Sequence, residues 1–201
     1  MKLICGLGNI GKEYVGTRHN VGFRVAESVA EKLGLGFKSG KGDYDFAKGV
    51  YESNEVLIIK PTTYMNLSGR AVRHAMAFYK ISILDLLVIC DDFAIPLGAI
   101  RLRGEGSDGG QNGLKNIIQE LGRNDFTRLR FGIGNPEFKG SAADFVLSNF
   151  KPEELEVVED TIAQCRDAAL YFLTHGLNPT STKFNRKSSP LEKKVFLPKE
   201  N

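Results

Sequence analysis

Residues 56–69 read Val56-Leu57-Ile58-Ile59-Lys60-Pro61-Thr62-Thr63-Tyr64-Met65-Asn66-Leu67-Ser68-Gly69. The first four are too continuously apolar to face water, so they predict a buried strand. A polar cluster follows at that strand's end, and a helix is expected behind it over 68–79. Two other apolar runs end in the same manner. Leu3-Ile4-Cys5 gives way to Gly6-Leu7-Gly8-Asn9, and Leu86-Leu87-Val88-Ile89-Cys90 gives way to Asp91-Asp92. In open α/β sheets, ligands bind in the crevice beyond the carboxyl ends of the strands. One histidine, His19, lies on the loop after the first cluster. An amide, an imidazole and a carboxylate are therefore expected to converge at one end of one sheet, as in an active site.

Outward from that stretch, strands are predicted over 2–7, 46–51, 55–59, 86–90, 99–103 and 129–134. Helices are predicted over 20–33, 68–79, 113–121, 142–148 and 152–175. The last carries the fullest set of signals. Pro152 sits in its first turn with Glu153, Glu154 and Glu156, which suit the positive end of the helix dipole. Leu155, Val158, Ile162, Cys165, Ala169 and Phe172 form one apolar stripe, and Gly176 ends it. No linker or repeat interrupts the chain. The expected fold is one α/β domain over residues 1–185, a twisted, mixed, mostly parallel sheet flanked by helices, with a basic tail over 186–201.

The chain has 201 residues, 42% hydrophobic and 25% charged, which is ordinary for a globular protein with a real core. No run approaches the roughly 20 apolar residues of a membrane helix, and Met1 opens almost directly into a strand. These features predict a cytoplasmic protein without a leader and without membrane partners. Cys5, Cys90 and Cys165 are odd in number and far apart, so they read as reduced core thiols. Of the net charge of +3, residues 176–201 carry +4, leaving −1 for the body. A near-neutral body with a basic tail permits a polyanionic partner without requiring one.

Gly6-x-Gly8-x-x-Gly11 matches the dinucleotide fingerprint, but that motif needs a helix opening at its third glycine. Here Lys12 to Arg18 stay in loop and periodic apolar residues begin only at Val21, so the nucleotide reading is rejected. His74, inside a helix, and His175, at a helix end, have adequate structural roles. His19 sits in Gly16-Thr17-Arg18-His19-Asn20, with Asn20 as a plausible N-cap. Asp91 is the right kind of group to hold its imidazole in one tautomer. No GxSxG elbow, HExxH or His/Cys cluster is present, which leaves a His–Asp pair activating water directly. Asn66 and Asn112 supply amide donors for an oxyanion or a hydroxyl, although Asn112 also suits a helix cap. Arg101/Arg103 and Arg128/Arg130 alternate on predicted strands, either as the wet face of a sheet or, with Lys115, as a phosphate-binding patch. Tyr14 and Tyr64 suit stacking on a base or ribose, although aromatic residues beside strand ends more often serve packing.

Taken in order, Gly6-Leu7-Gly8-Asn9, Tyr14 to Asn20 (YVGTRHN), Lys60-Pro61-x-Thr63-Tyr64-Met65-Asn66-x-Ser68-Gly69, Asp91-Asp92 and Asn112-Gly113-Leu114-Lys115 closely resemble bacterial-type peptidyl-tRNA hydrolase. The likeness runs to about Asn185. It implies a monomeric α/β enzyme that cleaves the ester between a peptide and the 3′ ribose of tRNA, recycling the tRNA, without a cofactor. By position, the resemblance makes His19 the general base, Asp91 its orienting acid and Asn9 the residue that separates blocked from free aminoacyl-tRNA. Tyr14, Tyr64, Met65, Asn66 and Asn112 become substrate and tRNA contacts, with Arg101, Arg103 and Arg130 as candidates for phosphate. The chain departs from the family pattern at Gln111, where histidine is commoner, and at Ala94, where an acid often stands. Gln111 is expected to alter a contact to the tRNA terminus.

Two other readings stay open on the sequence. One is a non-catalytic RNA-binding relative like the plant organellar splicing factors of this fold, motivated by the arginines and the tail. The other is a small-molecule esterase or amidase, whose activity would be insensitive to salt.

Overall fold

The computed structural model describes residues 1–134 and 141–185. The basic tail expected over 186–201 lies outside the described residues. Seven strands form one sheet in the order β2-β3-β4-β1-β5-β7-β6. They are β1 (Lys2–Gly6), β2 (Lys38–Ser39), β3 (Tyr44–Tyr51), β4 (Asn54–Pro61), β5 (Leu86–Asp92), β6 (Ile100–Arg103) and β7 (Thr127–Gly132). The four central strands β4, β1, β5 and β7 run parallel, and β3 and β6 pair antiparallel on either side of them. The expected mixed, mostly parallel sheet is thus the observed one.

The helices are α1 (Val21–Lys32), α2 (Ser68–Tyr79), α3 (Asn112–Leu121), α4 (Ala142–Val146), α5 (Leu155–His175) and α6 (Leu177–Phe184). Strand side chains alternate between two cores, as period-2 geometry requires. Ile4, Leu87 and Ile89 pack on the side of α1 and α5. Leu3, Cys5, Leu86, Val88 and Cys90 pack on the side of α2 and α3. The four central strands are covered on both faces, which is why they read as continuous apolar runs rather than alternating ones.

Several boundaries differ from expectation for identifiable reasons. The two-residue strand β2 and helix α6 were not predicted: Lys38-Ser39 is too short for any periodicity, and α6 carries only Leu177 and Phe184 as large apolar residues. Leu177 and Phe184 pack against the core, and the end of α6 is tied down by Asn185, which accepts from the Leu102 N–H (2.7 Å) and donates to the Leu102 carbonyl (3.0 Å). That covers part of the outer edge of β6, a position open strands otherwise leave exposed. The 152–175 segment begins as a single 3-10 turn over Pro152–Glu154, and Leu155, placed on the apolar stripe by spacing, is exposed. Gly176 ends the helix at His175 as expected. All three cysteines are free and buried. Burial pushes the Cys90 thiol up to about 12 and raises Cys5 and Cys165 further, so none is poised to attack.

One close approach sets the position of everything at the mouth of the sheet. A Cβ on Gly22, at the start of α1, would lie 2.5 Å from both the Ile89 carbonyl oxygen and the Leu7 nitrogen. Only a glycine lets α1 come this near β1 and β5, and the turn preceding α1 is thereby carried onto the end of β5.

Candidate active site

The glycine pattern after β1 does what its failed dinucleotide reading implied. Gly11 adopts φ +120, the chain makes 3-10 turns over Lys12–Tyr14 and Arg18–Asn20, and α1 opens only at Val21. His19 therefore sits in a short 3-10 turn rather than on a solvated loop, and it is 7% exposed. Asp91 shares the strand parity of Leu87 and Ile89, so its side chain leaves β5 on the face where that turn rests. His19 Nδ1 lies 2.9 Å from Asp91 Oδ1 and 3.0 Å from Oδ2. A carboxylate partner assigns the proton to Nδ1 and leaves the Nε2 lone pair free. Nε2 has no hydrogen-bond partner among the described residues and is not sealed, and the ring lines a cleft of about 320 Å³. His19 is thus a largely buried imidazole with one edge on the cleft.

The amide partners are equally constrained. Asn20, expected to cap α1, makes no capping bond. Its side chain instead staples the strand end, accepting from the Asn9 N–H (2.8 Å) and donating to the Asn9 carbonyl (2.9 Å). Asn9 in turn accepts from the Met65 N–H through Oδ1 at 2.8 Å, which fixes its amide and leaves Nδ2 on the cleft side. Met65 is buried in the 3-10 turn Met65–Leu67 that leads into α2, while Tyr64 and Asn66 are exposed beside it. Asn112 begins α3 and is exposed on the cleft, and the cap is supplied by Gln111, whose Oε1 accepts from Leu114 N–H at 2.8 Å. The opposite wall is apolar: Ala142, Ala143, Val146 and Leu147 of α4 and the residue after it.

The structure thus brings together His19, Asp91, Asn9, Tyr64, Met65, Asn66 and Asn112 around one cleft. It does not bring the other candidates there. Tyr14 is half-buried in its own turn, where its carbonyl accepts from the Thr17 hydroxyl (2.8 Å). Arg101 and Arg103 stand exposed on β6, away from the cleft. Arg128, read as part of a wet arginine face, is fully buried, with its guanidinium donating to the carbonyls of Gly106, Ser107, Asn124 and Phe126. Arg130 pairs with Asp92 (3.0 Å) and donates to the Ser107 carbonyl (2.9 Å). Both arginines clamp the loop over 104–110, so neither is held ready for phosphate.

Two residues escaped the sequence reading. Gln111 was noticed only as a departure, and its side chain reaches inward, not to the surface. Arg18, beside His19, is buried between the rings of Phe145 and Phe150 (4.6 and 4.5 Å) and bonds Glu154 (2.6 Å), the Ile133 carbonyl (3.1 Å) and Ser148 Oγ (3.3 Å). It anchors α4 and the approach to α5 to the turn that carries His19. A part-buried ion pair across 136 residues leaves no local signature in a sequence. Among the described residues, no group of three or more His, Cys, Asp or Glu is placed to hold a metal ion.

A histidine held by a carboxylate, with its free nitrogen on a polar-floored cleft at the carboxyl end of a parallel sheet, belongs to the class of α/β proteins equipped to activate water. Residues 3–193 match the family model described as peptidyl-tRNA hydrolase. The chain is 52% identical over 189 residues to the peptidyl-tRNA hydrolase of Chlorobium phaeobacteroides, covering 94% of this chain and all of the relative. It is 50% identical over 185 residues to that of Chlorobaculum tepidum, covering 92% and 98%. Its fold superposes on the crystal structure of peptidyl-tRNA hydrolase from Acinetobacter baumannii with a TM-score of 0.87 at 34% identity, covering 94% of this chain and 96% of that one. The chain belongs to the peptidyl-tRNA hydrolase family.

Proposed function

We propose that this protein hydrolyses the ester joining a peptide, or an N-blocked amino acid, to the 3′ ribose of tRNA, acting as a cytoplasmic monomer that returns tRNA to translation. The observation that carries the reading is His19: Nδ1 is committed to Asp91, and Nε2 opens on the cleft. In the proposed mechanism a water on Nε2 gives up its proton as its oxygen attacks the ester carbonyl. Asp91 keeps the imidazole in the productive tautomer and stabilises the imidazolium that forms. The proton then passes to the departing ribose oxygen. An ester has a good enough leaving group for this to suffice without a covalent intermediate. General-base help of this kind is worth about 10² to 10⁴-fold, and amide donors at the cleft supply part of the rest.

Asn9 is proposed to choose the substrate. Its Oδ1 is already spent on Met65, so the cleft meets a fixed Nδ2 donor. That donor suits the carbonyl of a peptide group and leaves a free ammonium without an acceptor. Tyr64, Asn66 and Asn112, exposed at the rim, are proposed to contact the tRNA 3′ end, with Met65 forming the floor beneath it. The test is His19→Ala assayed on N-acetyl-aminoacyl-tRNA. Turnover is expected to fall about 10² to 10⁴-fold while tRNA binding stays within a few-fold. Near-full turnover in that variant would end the proposal.

A further inference from the structure

Gln111 is 6% exposed and spends its whole side chain inside the protein. Oε1 accepts from Leu114 N–H at 2.8 Å and so caps α3. Nε2 has two hydrogens and two partners: Asp91 Oδ1 at 3.1 Å and Met65 Sδ at 3.2 Å. The amide cannot be turned round, because that would set its oxygen against the Asp91 carboxylate and its NH₂ against a backbone N–H. Asp91 Oδ1 thus receives from His19 on one side and Gln111 on the other, while among the described residues Oδ2 meets only His19. A carboxylate held by the imidazole only is free to rock about its Cβ–Cγ bond. The second donor removes that freedom.

We propose that Gln111 is a positioning residue of the hydrolytic centre: it locks the Asp91 carboxylate in rotation and ties it to the start of α3. Asn112, the next residue, faces the cleft. The acid that orients the base and the amide at the tRNA-facing rim are therefore consecutive parts of one rigid unit. A donor without charge does this without neutralising Asp91, and it cannot titrate away. The inference rests on the hydrolase reading given above.

Gln111→Glu keeps an oxygen to cap α3 but replaces the Asp91-facing donor with an acceptor. Gln111→Met, of similar length, loses both. With N-acetyl-aminoacyl-tRNA, both variants are expected to lower kcat by about 10²-fold, the loss typical of a small misplacement of a reacting group. KM should stay within about threefold; Gln111→Glu should lower the melting temperature, since two buried carboxylates then face each other, while Gln111→Met should keep a native circular dichroism spectrum. The same exchange is then made on top of Asp91→Asn. If Gln111 acts through Asp91, Gln111→Met adds little to the loss that Asp91→Asn alone causes. Losses that multiply, a kcat near the parent's in Gln111→Glu, or a rise in KM at unchanged kcat would each overturn the assignment, the last by making Gln111 a substrate contact. The parent enzyme run alongside separates the two levels: if it fails to turn over blocked aminoacyl-tRNA, the hydrolase reading fails and carries this inference with it.

Discussion

His19 owes its orientation to Asp91 and its place to Arg18, the residue before it. The Arg18 guanidinium is nearly inaccessible and forms an ion pair with Glu154, whose side chain keeps 23% of its surface. Removing one member of a buried pair typically costs 3–5 kcal/mol. Arg18→Met is therefore expected to lower unfolding stability by about 3 kcal/mol, toward the low end because Glu154 is partly wet. Urea denaturation measures the loss, and a change under about 1 kcal/mol would show that the aromatic packing alone holds the turn. At this scale the sequence was informative wherever a polar residue closes an apolar strand, which is why Asn9 and Asp91 were legible. It was misleading for Asn20, read as a cap. A cap is a local pattern, whereas stapling Asn9 depends on residues remote in sequence.

Among the elements, the wedge between α1 and the strands beneath it carries the clearest test. Gly22→Ala would press a methyl group against the Ile89 carbonyl and the Leu7 nitrogen, backbone atoms that cannot step aside cheaply. Overpacking of this kind costs about 1–3 kcal/mol, and here it also displaces the turn bearing His19. Gly36→Ala is the control: nothing lies within 4 Å of its added Cβ and its φ is ordinary. It should be neutral or stabilise by about 0.4–1 kcal/mol through the unfolded chain. Equal losses in the two variants would mean the close approach is not what positions α1. The central strands and long helices were legible because apolar runs and 3.6-residue stripes survive any tertiary detail. Strand β2 was not, since its two residues are defined only by the partner strand. The β3–β4 hairpin turns through Glu52 and Ser53 at φ 45 and 67, without the glycine that usually advertises such a turn.

Across the whole molecule, function follows from parallel strands delivering three loops to one end of the sheet, with charge distributed elsewhere. The body of the chain is near neutral, so the proposed tRNA contact would need local groups, for which the exposed Arg101 and Arg103 on β6 are the candidates. Arg101→Glu is expected to raise KM several-fold at low salt with little change in kcat, and to reduce the salt slope by about 1. A fall in kcat with KM unchanged would place that side chain in the reacting site or in folding. Arg130, once equivalent to Arg101 by spacing, belongs to the loop clamp, which alternation along a strand cannot distinguish from a wet face. The three inert cysteines open a practical route to watching the molecule at work. Because each is sealed in the core, a cysteine introduced at Leu147, on the cleft rim, or at Leu84, 70% exposed before β5, would be the one thiol a maleimide dye can reach. Site-selective fluorophores can therefore be attached to the otherwise native chain, with no cysteine-free background to build first.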